Sequence, residues 1–266
     1  MRLAEPVAAS WKAKLALGFA REGSRSVLAG RTHEGPLVVQ KPLYPEGGEV
    51  CHAIILHPPG GIAGGDQLAL RVACGRDAHA LLTTPGAAKW YRSAGAWAQQ
   101  SLDFTVDGTL EWLPRETIVF DGALAELDTH VELAEGARFI GWEIVCLGRR
   151  GAGERFQRGR LKVSLNINRQ GRRVFIDKGE IEAGGGLMSS PVGLGGRSVF
   201  GMLVATFEGA RLAAPELAVT QLPGLLVARY LGDSSEQALR AFTALWKALR
   251  PSVCGREAVE PRIWAT

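Results

Sequence analysis

The fold class of this chain is decided by residues 99–147, QQSLDFTVDGTLEWLPRETIVFDGALAELDTHVELAEGARFIGWEIVCL. Short apolar or alternating runs recur in this stretch, and Asp, Gly and Pro residues separate them. Such runs predict short strands joined by tight turns. Because no helices of 10–15 residues alternate with them, the pattern favours a layered, all-β dominated fold over a parallel α/β sheet.

The same pattern extends over most of the chain. The 34 glycines among 266 residues exceed the usual share of about 7% and fit a chain with many turns. The predicted strands are 12–17, 26–32, 37–40, 50–57, 67–74, 79–83, 99–106, 110–113, 117–120, 129–133, 139–147, 160–168, 173–176, 198–207 and 218–229.

One amphipathic helix is predicted near the C-terminus, over 235–250. Ser234 and Gln237 have the spacing of a capping box, and Pro251 is expected to end the helix. Its apolar stripe could pack on a sheet or fill a groove of a partner protein. The residues of this stripe are Leu239, Phe242, Leu245, Trp246 and Leu249.

Composition is ordinary for a soluble globular protein, with 46% hydrophobic and 22% charged residues. The net charge of +4 is mild and does not demand a nucleic-acid partner. The longest apolar run, 199–207, is far shorter than the roughly 18 residues that span a bilayer. We find no readable signal peptide, linker or repeat, and four cysteines are no disulfide framework. A single cytoplasmic domain over residues 1–266 is therefore expected.

The densest local motif is HPPGGIAGGD, residues 57–66. It lacks the Gly-Lys-Ser/Thr ending of a phosphate-binding loop. Two interpretations remain. The segment is either a structural turn in which Asp66 caps backbone N–H groups, or a backbone-lined passage with the Asp66 carboxylate at its mouth.

Histidines and cysteines do not predict a tight metal site. Cys51 and His57 share a face of the strand 50–57, and Cys74 and His79 flank a plausible hairpin turn at 75–77. Neither pair has the ligand spacing of a closed structural site. Catalytic motifs such as G-x-S-x-G and H-E-x-x-H are missing as well.

Carboxylates beside apolar strands are better candidates for a metal in transit. Nickel accepts carboxylate, imidazole and thiolate ligands, and a protein that passes the ion on should avoid a deep thiolate site. The alternative for each candidate is an ordinary surface or paired carboxylate. The candidates are Asp66, Asp121, Glu143, Asp177 and Glu180.

Two further segments leave their role open. Residues 149–162 carry six basic residues against one acidic residue, which is compatible with a solvated loop, an acidic protein partner or RNA. Residues 184–196 hold six glycines and could be a disordered loop or a segment that a partner orders.

Taken together, several segments resemble the UreD/UreH family of urease accessory proteins. They appear in the family's order and run nearly from end to end of the chain. The segments are GPLVVQKPLYPEG (35–47), HAIILHPPGGIAGGD (52–66), LLTTPGAAKWYRS (81–93), LEWLPRETIVFDGA (110–123), GWEIVCLGRRGAGERF (141–156) and LRPSVCGREAVEPRIWAT (249–266).

The resemblance implies a single helicoidal two-layer β domain that is a scaffold and not an enzyme. It also implies binding to UreF, recruitment of the GTPase UreG, docking on apo-urease and transient carriage of nickel through an internal, water-filled passage, with no tightly bound cofactor. Two acidic positions of that passage would fall on Asp66 and on Asp177, which follows the apolar residues 174–176. The family commonly has Glu at the second position. The side chain of Asp177 is shorter, so its carboxylate would reach less far into the passage.

Two other functions stay open from the sequence. A stand-alone β-fold hydrolase would assemble its site from the five scattered histidines. A basic RNA-binding module would use residues 149–162, and its affinity would depend strongly on salt.

Overall fold

The computed structural model describes residues 10–210, 212 and 214–265, so the predicted domain limits at residues 1 and 266 lie outside it. Within these residues the chain forms seventeen strands and two α-helices. Strand accounts for 49% and helix for 12%, which confirms the strand-dominated fold. In chain order the strands are β1 (Lys12–Glu22), β2 (Arg25–Glu34), β3 (Val38–Val39), β4 (Cys51–Leu56), β5 (Gln67–Cys74), β6 (His79–Thr83), β7 (Ala88–Trp90), β8 (Ala98–Val106), β9 (Thr109–Leu113), β10 (Thr117–Val119), β11 (Leu124–Leu133), β12 (Arg138–Leu147), β13 (Arg160–Arg169), β14 (Arg172–Glu182), β15 (Val199–Ala205), β16 (Ala218–Leu222) and β17 (Leu225–Gly232). The helices are α1 (Gly186–Ser189) and α2 (Ser235–Cys254).

The strands form two sheets that the chain visits in turn. A seven-stranded sheet has the order β14-β13-β11-β8-β5-β1-β2. A ten-stranded sheet has the order β16-β17-β15-β12-β9-β6-β4-β3, with β10 and β7 attached beside β12. Strands β5, β8 and β11 pair in parallel in the first sheet, and β6, β9 and β12 do so in the second.

Parallel neighbours need a long crossover, which is usually a helix. Here the crossover between two strands of one sheet is a strand of the other sheet, so the chain coils through both layers. The turn at 75–77 is accordingly no hairpin, because it joins β5 and β6 in different sheets. This coil is the helicoidal two-layer arrangement that the family resemblance implies.

Alternation along the strands divides the apolar side chains between two cores. On β12, Phe139 and Val145 point into the core between the sheets. Trp142 and Ile144 point the other way, into an outer core under α2. The sheets therefore enclose one apolar space, and the helix covers the outer face of the ten-stranded sheet.

Helix α2 confirms the predicted start but not the predicted end. The Ser234 side chain accepts a 3.2 Å hydrogen bond from the Gln237 N–H, as an N-cap does. The helix does not stop at Pro251 but continues to Cys254. A proline in the last turn removes one hydrogen bond only, while the burial of Val253 and the left-handed Gly255 cap stabilise that turn. No helix of the described residues is long and apolar enough to cross a membrane.

Two strand predictions need correction near the C-terminal half. The single strand expected over 218–229 is a hairpin, because Gly224 with φ +70° turns the chain between β16 and β17. The strand expected over 173–176 is the longer β14, so Asp177 lies inside a strand and not after one. Residues 184–196 fold into α1 and successive turns, and Leu194 of this segment is buried in the core between the sheets.

Candidate functional site

Two cavities occupy the space between the sheets. The large cavity has a volume of about 740 Å³ and is bounded by strands of both sheets, β11 and β13 on one side and β12, β15 and β17 on the other. The small cavity, of about 310 Å³, is lined by Gly60 and Gly61 of the glycine-rich loop. Trp112 and Glu143 line both cavities. These two side chains therefore mark the place where the cavities meet.

Glu143 reaches this place because of the strand alternation on β12. Its neighbours on the same face, Gly141 and Val145, also line the large cavity. The Thr117 hydroxyl donates a 2.6 Å hydrogen bond to Glu143 Oε1. Burial raises the pKa of Glu143 to about 7, and the bond from Thr117 opposes the shift only in part. A carboxyl group that titrates near neutral pH thus faces the junction.

Two side chains with an unpaired polar atom belong to the wall of the small cavity. Its lining includes His57 and Trp112. The buried Nε2 atom of His57 and Nε1 atom of Trp112 have no hydrogen-bonding partner among the described residues. Since buried polar atoms are nearly always bonded to protein or to water, we expect water in this cavity.

Asp177 lies at the edge of the large cavity. Its Oδ1 atom accepts a 3.3 Å hydrogen bond from Nη2 of Arg229. The pair joins β14 of one sheet to β17 of the other, and the two side chains are 47% and 45% exposed. Both residues line the large cavity. The structure therefore brings Asp177 and Glu143 to one cavity, which opens to solvent beside the Asp177–Arg229 pair.

Asp66 lies behind the small cavity, whose lining does not include it. The residue is 2% exposed. Its two carboxylate oxygens accept backbone hydrogen bonds of 2.7 Å from Trp11 and 2.8 Å from Ala63. The geometry is that of a cap that closes the glycine-rich turn and ties it to the start of β1. Burial lowers the pKa of His57, and the negative charge of Asp66 opposes this shift.

The remaining candidate carboxylates are bound elsewhere. Asp121 accepts hydrogen bonds from the side chain of Arg158 and from two backbone amides. Glu180 lies 4.0 Å from Arg160 at the surface. Neither residue lines the large or the small cavity.

The basic segment 149–162 is largely neutralised by acidic neighbours. Arg149 pairs with Glu154, and further ion pairs join other arginines of the segment to acidic residues. These pairs are Arg150–Asp233, Arg158–Asp121 and Arg160–Glu182. Little unpaired positive charge is left for a nucleic-acid backbone.

A buried ion network that the sequence did not predict lies under α2. Arg250, at 0% exposed, donates to both oxygens of Glu46 and to both oxygens of Glu111. Nε2 of His52 lies 2.6 Å from Glu46, and Nε2 of His79 lies 2.7 Å from Glu111. Burial alone would raise the pKa of Glu111, but the bond with His79 and the charge of Arg250 outweigh it and hold the pKa at about 2.

This network is structural and not a metal centre. His79, Glu111 and Cys254 place one ligand atom each within 4.8 Å of one another. However, Glu111 also accepts a 2.6 Å hydrogen bond from Trp246, so both of its oxygens are engaged by donors. The guanidinium of Arg250 already supplies the positive charge that a cation would bring.

Comparisons with known proteins all match this chain to one family. The family described as "UreD urease accessory protein" matches residues 12–265. A urease accessory protein UreD of Dechloromonas aromatica (strain RCB) is 52% identical, over 97% of this chain and 95% of its own length. Another, of Azoarcus sp. (strain BH72), is 52% identical over 96% and 94%. Urease accessory protein UreD 2 of Pseudomonas syringae pv. syringae (strain B728a) is 49% identical over 97% and 96%.

Proposed function

Since the chain belongs to the UreD family of urease accessory proteins, we propose that it is a non-catalytic scaffold that assists nickel delivery to urease. It would act in the cytoplasm, bind UreF and through it UreG, and dock on apo-urease. In this role nickel is a cargo that passes through the chain and not a resident cofactor.

The observation that carries this proposal is the position of Glu143. The residue lines both the large and the small cavity, so in the proposed route a cation would pass this one carboxylate between the two cavities. Carboxylates are acceptable nickel ligands, and a single carboxylate with water completes a weak site. A weak site suits transit because the ion must leave again.

Asp177 and Asp66 take different parts in the proposed route. Asp177 lies where the large cavity opens and is paired with Arg229, so a divalent cation at the entrance would compete with that guanidinium for the carboxylate. Asp66 has both oxygens bound to backbone amides, so it contributes its negative charge behind the small cavity and not a free ligand atom. The route would run from Asp177 past Glu143 towards the glycine-rich loop.

The test is urease maturation with Glu143 variants in a co-expression system. We expect Glu143→Leu to assemble with UreF and apo-urease at the wild-type level but to yield urease with a lower nickel content. Glu180→Leu is the matched control, because Glu180 is an acidic residue that lines neither cavity. Wild-type nickel content in urease matured by a stable Glu143→Leu variant would overturn the proposal.

A further inference from the structure

His57, which is partly exposed, differs from the two buried histidines in its contacts. His52 and His79 are each bonded to a glutamate of the network under α2. The Nε2 atom of His57 is buried without a partner among the described residues, and the side chain lines the small cavity. The residue directly follows β4, and Pro58 and Pro59 stiffen the chain after it. The ring thus lies in the wall of the small cavity, and its Nε2 atom has no bonding partner among the described residues.

Glu143 lines the same cavity, so its wall contains one imidazole and one carboxyl side chain. A neutral imidazole nitrogen is the commonest protein ligand for transition metals, and nickel favours it over oxygen donors. Burial lowers the pKa of His57 and so favours the neutral ring. The positively charged residues of the lining are Lys89, which is exposed, and Arg115, whose Nε lies 3.8 Å from Glu116.

We propose that His57 is a nickel ligand in the small cavity, where it takes the ion over from Glu143 on the way to the glycine-rich loop. The inference rests on the proposed transit function and adds an imidazole ligand to the proposed nickel route. One imidazole and one carboxylate leave the remaining coordination positions to water. Such a site binds more tightly than a lone carboxylate but still releases the ion, unlike a closed site with four protein ligands.

The experiment measures nickel binding by the untagged, full-length protein with its partner UreF. The background variant His33→Ala/His130→Ala removes the two histidines that neither line the small cavity nor bond to a glutamate. Nickel affinity is measured by competition with a chromophoric chelator, and X-ray absorption at the nickel edge reports imidazole ligands. We expect an imidazole signature in this background.

Adding His57→Gln should abolish that signature and weaken the affinity by about tenfold or more, as losses around a metal site do. Thermal melting of the same preparations verifies folding, and a Gln side chain retains polar contacts with water. An unchanged affinity or a persistent imidazole signature without His57 would overturn the inference. The transit function is judged separately by the nickel content of urease with Glu143→Leu, so either idea can fail alone.

Discussion

The hydroxyl of Thr117 on β10 donates a 2.6 Å hydrogen bond to Glu143 on β12, the one hydrogen bond that this carboxylate makes among the described residues. Burial destabilises the charged form of Glu143 more than the hydrogen bond from Thr117 stabilises it, so the pKa of Glu143 rises to about 7. Strongly shifted pKa values of this kind cluster at functional sites, which makes Glu143 a candidate for function.

Stability should therefore depend on pH through Glu143. Its pKa rises from 4.5 to about 7 on folding, so the stabilisation present below pH 4.5 is lost as the pH rises through 7. Glu143→Gln has no carboxyl group that titrates here. Its free energy of unfolding, relative to that of wild type, should therefore rise by about 1–3 kcal/mol when the pH is raised from 5 to 8. Urea unfolding at both pH values measures it, and a difference that does not change with pH would contradict the shift.

Asp177 should affect nickel transit and not stability. Its pair with Arg229 is nearly half exposed, and exposed ion pairs contribute about 0–1 kcal/mol. We expect urease nickel content to fall in the order wild type, Asp177→Asn, Asp177→Ala, with partial rescue by added nickel. Glu180→Ala, on the same strand but outside both cavities, is the control. Equal nickel contents for all four proteins would remove Asp177 from the route.

Asp66 variants separate its charge from its role as a cap. Asp66→Ala leaves two backbone amides without an acceptor and should cost about 0.5–2 kcal/mol of unfolding free energy. Asp66→Asn loses the same charge but keeps one acceptor oxygen, so it should be the more stable variant. Nickel-poor urease from a stable, assembled Asn variant is expected from the transit role. Normal nickel content from that variant would show that Asp66 only closes the turn.

The buried network should make Arg250 essential for folding. Removing it leaves the buried carboxylates of Glu46 and Glu111 without the guanidinium that pairs with both of them under α2, so Arg250→Met should lower the unfolding free energy by about 3–5 kcal/mol. Arg240→Met, on the same helix, breaks only an exposed pair with Glu236 and should change it by less than about 0.5 kcal/mol. Similar unfolding midpoints for the two variants would contradict the network's role.

Most strands could be predicted from the sequence, but the short β7 (Ala88–Trp90) and the pairing of the strands could not. An alternating pattern of apolar and polar residues shows that a strand has two different faces. The same pattern occurs in parallel and in antiparallel strands and in strands of either sheet, so it does not reveal the neighbours of a strand. The hairpin of β16 and β17 was predicted as one strand because Pro223 and Gly224 interrupt an otherwise apolar run by two residues only. The cap at Ser234 was predictable because it depends on local contacts.

The candidate site was predictable only in part. Glu143 stands among apolar residues of β12, which marks it as a carboxylate beside a core strand. Nothing near it in sequence indicates that Thr117 or His57 shares its surroundings, because those residues arrive from other turns of the coil. The ion network joins Glu111 and Arg250 across 139 positions. A glutamate inside the apolar run of β9 was the signal that could have revealed it.

During synthesis, α2 leaves the ribosome after all the strands, because Ser235–Cys254 follows every strand in the chain. Until it emerges, apolar side chains on the outer face of the ten-stranded sheet, including Trp142 and Leu203, have no cover. Uncovered apolar surface makes a growing chain prone to aggregation. The newly made chain therefore passes through an interval, after its sheets are synthesised and before α2 covers them, in which this apolar face is open to aggregation.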